Sequence, residues 1–321
     1  MRVYLKKEMF SDREFVLVQN QNMRATAFKY STGVEALKVE NKKGHFVILP
    51  FKGQQIWRLH FLGKDLHMKT MMDEPRQTKE YLHTYGAFLL HCGITAFGSP
   101  GEGDTHVQHG ELPSADYQMA YLECGDDYMV VGGRIDYDKT FVQNYSFSTE
   151  CRLQEDDTVL HFHITLENRR SKPMEYMYLC HINFRPIDGA EIMDTSNFKE
   201  AYRVGEGDQS IYNPETCFTI QYKEGWDNRG YTLQYTEEGA CYVNHPIDVL
   251  PVGVRWISRT GDEDSMGMIL PATAAPNGYT WAKKNGQIRF LGAKERIEFD
   301  IETGYLEREQ AQKIKSIIEK E

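Results

Sequence analysis

No Cys-x-x-Cys pair occurs in the sequence, and its six cysteines (Cys92, Cys124, Cys151, Cys180, Cys217 and Cys241) are widely spread. That spacing indicates neither a zinc knuckle nor a dithiol redox centre and leaves buried free thiols as the expectation. Also missing is any apolar run long enough to span a membrane. The opening Met1-Arg2-Val3-Tyr4-Leu5-Lys6-Lys7-Glu8 has neither the apolar core nor the cleavage site of a signal peptide, so a cytoplasmic protein is expected. Basic side chains are in deficit: 37 lysines and arginines against 47 aspartates and glutamates leave a net charge of −10 over 321 residues. Long-range attraction to phosphates is therefore weak, and neither nucleic acid nor an anionic membrane is an expected partner. Gly-x-x-x-x-Gly-Lys, Gly-x-Ser-x-Gly and His-Glu-x-x-His are absent too, which removes the phosphate loop, the hydrolase elbow and the zinc helix.

What is present is alternation. With 40% hydrophobic and 26% charged residues the chain has a globular composition, and helical periodicity is almost lacking. Short segments rich in Val, Ile, Thr, Tyr and Phe recur instead between clusters of Gly, Asn, Asp and Pro, the pattern of antiparallel sheet. In Leu160-His161-Phe162-His163-Ile164-Thr165-Leu166 a period of two puts apolar side chains on one face and His161, His163 and Thr165 on the other. Glu167 to Pro173 reads as a turn leading to a second strand, Met174 to Phe184, and the two strands together as a hairpin. Further strands are expected near 46–49, 54–59, 128–131, 218–222, 253–257, 287–291 and 296–301. Only Leu306 to Glu321, with Ala311, Ile314, Ile317 and Ile318 at helical spacing, predicts a helix. The expectation is all-β: a large antiparallel β-sandwich with a short C-terminal helix, in a single domain spanning residues 1–321.

The chemistry-bearing signal is histidine, with eleven copies unevenly placed. The densest stretch is Asp104-Thr105-His106-Val107-Gln108-His109-Gly110-Glu111-Leu112-Pro113, two imidazoles and two carboxylates in a glycine-marked loop. The second is Cys180-His181-Ile182-Asn183-Phe184-Arg185-Pro186. There alternation aligns Met177, Leu179, His181 and Asn183 on one face, so one strand delivers an imidazole and an amide together.

In these residues the chain resembles the galactose mutarotase-like, or aldose 1-epimerase-like, superfamily, and within it a branch of predicted epimerases. The resemblance rests on Gly53-Gln54-Gln55-Ile56-Trp57 with Gly63-Lys64-Asp65-Leu66, on His109-Gly110, and on His181-x-Asn183-Phe184 after a strand ending in Glu167-Asn168. It continues in Arg255-Trp256 and in Leu270-Pro271-Ala272-Thr273 with Gly278 and Gly286, and covers about Leu37 to Leu306. It implies a twisted sandwich, a sugar or sugar derivative as substrate, no cofactor, and interconversion of α and β anomers by general acid/base catalysis. That reaction takes a proton from the anomeric hydroxyl and gives one to the ring oxygen, work suited to a histidine and an opposing carboxylate. The resemblance makes His181 the acid and His109 a sugar ligand.

It also implies a basic glutamate in a late strand, within Gly267-Met268-Ile269-Leu270-Pro271-Ala272-Thr273, where this chain has Leu270. Glu111 or Asp248 is the substitute, and Glu111 is taken as the base. The expected site is thus His181 and Glu111 as catalytic residues, with His109, His106, Asn183, Asp248 and Trp256 binding the sugar. Two other readings stand beside it. His106, His109, Glu111 and His181 form a candidate metal site for a metal-dependent sugar isomerase or lyase, and Leu270 suits a noncatalytic carbohydrate-binding protein on the same fold.

Overall fold

A computed structural model of the protein describes residues 1–198, 202–205, 212–222 and 227–320. Its strands form two large sheets, and every strand pair within them is antiparallel. The ten-stranded sheet runs from Arg2–Tyr4 through Met119–Cys124, Tyr128–Lys139, Gln143–Gln154, Val159–Asn168 and Arg296–Glu307. It then continues through Gly239–Pro246, Arg229–Thr236 and Glu191–Asp194 to Tyr202–Arg203. The twelve-stranded sheet begins at Tyr212–Gln221 and proceeds through Val252–Arg259, Asp264–Ala272, Met174–Ile182, Leu89–Ile94 and Ile56–Phe61. Gly44–Ile48, Glu35–Asn41, Arg24–Lys29 and Phe15–Gln19 complete the path, with Arg289–Leu291 and Lys64–Asp65 attached beside it.

The sheets stack because each has an apolar face to bury. Leu160, Phe162, Ile164 and Leu166 are buried while His161, His163 and Thr165 on the same strand are not, as the alternation predicts. Across the interface Tyr178 of the twelve-stranded sheet meets Phe299 and Phe147 of the ten-stranded one, at ring-centroid distances of 5.3 and 6.0 Å. The predicted helix forms as Arg308–Ile318, started by a capping box between Glu307 and Gln310. Its Ala311 packs into a small cluster with Val159, Leu233 and Tyr242.

One expectation is overturned. Val159–Asn168 and Met174–Ile182 are both strands, but they are not a hairpin. The first pairs with Gln143–Gln154 and Arg296–Glu307, the second with Leu89–Ile94 and Asp264–Ala272, in the other sheet. The intervening segment is a corner between layers. Asn168, fully buried, fastens it by donating to the carbonyls of Lys172, Leu291 and Gly292 at 2.8, 3.1 and 2.7 Å. A second helix, Tyr279–Lys284, was not expected, being too short to carry a periodic signal.

Candidate functional site

The twelve-stranded sheet turns one face to the core and the other to a cleft of about 620 Å³. Period-two geometry decides which side chains reach the cleft. Along Val252–Arg259, Val254, Trp256 and Ser258 line it, whereas Arg255 points the opposite way and is buried against Asp194 of the other sheet. Along Met174–Ile182, Leu179 and His181 line it while Tyr178 and Cys180 face inward. Glu215 and Cys217 come from the edge strand, and Tyr81, Tyr85 and the 98–109 loop close over the top.

His181 and His109 converge here, with ring centroids 5.3 Å apart and edge to face. His181 is also flanked by Tyr85 at 5.4 Å and Trp256 at 5.6 Å, and His109 by Tyr81 at 4.8 Å. Backbone conformation carries His109 to this place. It has φ 59° and is followed by Gly110 at φ 78°, where a Cβ would stand 2.2 Å from the carbonyl oxygen of Ala96. Only glycine fits that turn. Hydrogen bonds from His109 N to the Gly98 carbonyl and from Gly93 N to the His109 carbonyl, at 3.1 and 3.0 Å, clamp it. The Nδ1 of His109 has no hydrogen-bond partner among the described residues.

Burial holds both imidazoles neutral. It drives the His181 pKa well below its ordinary value, helped by the neighbouring His109, and lowers that of His109 to about 4. Burial likewise keeps the Tyr85 hydroxyl protonated, so that it is a fixed donor. It donates to Asn183 Oδ1 at 3.0 Å and lies 3.4 Å from His181 Nε2. Asn183 stands behind the cleft, anchored through its amide to the Ala87 carbonyl at 2.9 Å, and orients Tyr85 rather than lining the wall.

Other expected residues lie elsewhere. Glu111 does not line this cleft: it accepts hydrogen bonds from Ile94 N, Thr95 N, Thr95 Oγ1 and Tyr145 Oη at 3.1, 3.0, 2.5 and 2.6 Å. A carboxylate with four donors inside the sandwich fastens the loop and has no open face toward a sugar. Its assignment as base is corrected on that ground. His106 bonds the Val107 carbonyl at 2.8 Å in a separate depression beside Asp104 and Tyr137. Asp248 is exposed and accepts from the adjacent Val249 N. Hence His106, His109, Glu111 and His181 do not meet, and among the described residues no group of three His, Cys, Asp or Glu side chains is placed to hold a metal ion.

Leu270, where the resemblance implies a glutamate, does face the cleft, on the strand between those of His181 and Trp256. The carboxylates that do line the cleft, Glu215 and Glu263, escaped the sequence reading, as did Tyr81 and Tyr85. None sits in a histidine cluster, so only period-two extension of the edge strand back from Phe218 offered a signal for Glu215.

The two-sheet antiparallel sandwich is a fold shared with solved proteins described as galactose mutarotase-like. A protein from Klebsiella pneumoniae described as an assumed aldose 1-epimerase superposes with a TM-score of 0.83 at 15% identity, covering 100% of this chain and 91% of its own. A galactose mutarotase-like protein from Clostridium acetobutylicum gives 0.64 at 13%, covering 90% and 100%. A galactose mutarotase-like protein from Lactobacillus casei gives 0.57 at 12%, covering 84% and 99%. At such identities the likeness is one of fold. The chain belongs to the family of the domain of unknown function DUF4432, whose model matches residues 31–304. No curated protein matches the sequence. No helix among the described residues is long and apolar enough to cross a membrane.

Proposed function

We propose that the protein interconverts the α and β anomers of a sugar or sugar derivative by proton transfer in this cleft, with His181 at the anomeric centre. The observation that carries the reading is the meeting of His181 and His109, 72 positions apart in the sequence, inside one opening lined by Tyr81, Tyr85 and Trp256. Aromatic faces suit the C–H surfaces of a pyranose, and neutral imidazoles suit its hydroxyls. Burial keeps His181 neutral, so it serves as an N–H donor to a sugar oxygen rather than as a charged acid, a use of neutral imidazole known from other isomerases.

Two-dimensional NMR exchange spectroscopy across a panel of aldoses tests the proposal. Exchange between anomers should accelerate with the protein present, and His181→Ala should slow it by about 10²-fold or more. Unchanged exchange on every sugar, or a fully active His181→Ala, refutes it. Leu270 favours a second reading, sugar binding without turnover. Saturation-transfer contacts to a sugar whose anomer exchange the protein leaves untouched would select that one.

A further inference from the structure

We propose that Glu215 is the general base of this cleft, a role taken up from the edge strand because the middle-strand position holds Leu270. The inference rests on the anomer-exchange reading above. In sheet order the strands run Tyr212–Gln221, Val252–Arg259, Asp264–Ala272, Met174–Ile182, so Glu215 and His181 rise from the two ends of a four-strand floor. Three strand spacings across the sheet and four residues along it, since Thr219 rather than Glu215 lies level with His181, separate those backbones by roughly 19 Å, a gap spanned by the long Glu215 side chain and the Trp256 ring. Val254 and Leu270 lie between them as an apolar floor.

Trp256 connects the two walls. Its indole Nε1 donates to Glu215 Oε2, and its ring lies 5.6 Å from that of His181. The carboxylate is thereby oriented through one oxygen, while the other has no hydrogen-bond partner among the described residues. Burial first, then Cys92, Glu215 and Glu263, raise the pKa of the Tyr85 hydroxyl that contacts His181. Glu263 belongs to the turn before Asp264–Ala272, seven positions from Leu270 and so on the order of 20 Å along an extended strand. Glu215 stands about level with Ser265, only two residues short of Glu263, so substitution rather than position decides between the two carboxylates.

In the proposed step the Glu215 carboxylate takes the proton of the anomeric hydroxyl. The O1–H electron pair forms the C1=O1 bond, the C1–O5 bond breaks, and its pair remains on O5. The new carboxyl returns the same proton to O5, which His181 N–H stabilises by a hydrogen bond. Rotation about C1–C2 and the reverse transfers close the other anomer, and no oxidant or second substrate is needed.

Glu215→Gln tests this, since the amide oxygen still accepts from the Trp256 indole. The variant should lose about 10²–10⁴-fold in kcat, with KM, the Trp256 fluorescence and the melting temperature little changed. Formate should restore part of the rate to Glu215→Ala and none to Glu215→Gln, which has no room for it. Retention of the rate in Glu215→Gln, or a larger loss in Glu263→Gln, overturns the assignment while leaving the activity intact. Wild-type protein inert toward every aldose removes the anomer-exchange reading, and this one with it.

Discussion

At the scale of single residues, neighbours in sequence have opposite duties. His109 and Glu111 flank Gly110, yet one side chain opens to the cleft and the other turns into the sandwich. The positive φ of His109 and of Gly110 produces that divergence. Glu111 is a fastening: its oxygens gather two backbone N–H groups, a threonine hydroxyl and the Tyr145 hydroxyl. Removing a buried acceptor leaves its donors unpaired, at about 1–3 kcal/mol. Glu111→Ala should therefore lower the unfolding free energy by at least this much in a urea titration. Unchanged stability with lost anomer exchange would instead return Glu111 to the reaction.

Among elements, the link that stands out joins the two sheets. Arg255, on the inward side of the strand that carries Trp256, donates to Asp194 Oδ2 at 2.6 Å and to the Met268 carbonyl at 2.8 Å, with both charged side chains almost wholly buried. Breaking such a pair from one side strands the remaining charge, at about 3–5 kcal/mol, whereas replacing both by apolar groups costs far less. Arg255→Met should show that loss, and Arg255→Met with Asp194→Leu should recover most of it. A double-mutant cycle in denaturant measures the coupling, and additive losses would show that the pair does not act as a unit.

For the whole molecule, buried histidines set the acid limit. His91 and His245 are fully buried, and burial lowers their pKa values to about 3, while His67 falls to about 4. Their folded values lie below the unfolded value near 6.5, so between the two the unfolded chain binds more protons. Their contribution to stability is complete above about pH 6.5 and declines as pH falls below it, each histidine contributing up to about 1.4 kcal/mol per pH unit. His161, held up to about 9 by its bonds to Asp157 and Glu302, works in the opposite sense above pH 6.5, so the test window is pH 6.5 to 4, over which urea midpoints should drop. A midpoint that rises on acidification contradicts the account.

How much of this was legible beforehand follows from the range of each signal. Side-chain alternation is local, so the sequence by itself determined the all-β architecture, the faces of the strands through His163 and His181, and the terminal helix. The resemblance reached further, to the His109-Gly110 and His181 motifs. Partner choice is not local. Whether Met174–Ile182 folds back on Val159–Asn168 or crosses to the other sheet depends on Asn168 meeting carbonyls more than 120 positions away. The same holds for the site. Tertiary structure alone decided that Glu111 is enclosed, that Leu270 forms the floor, and that Glu215 stands beside Trp256, because burial and hydrogen-bond partners arise only when distant strands share one sheet.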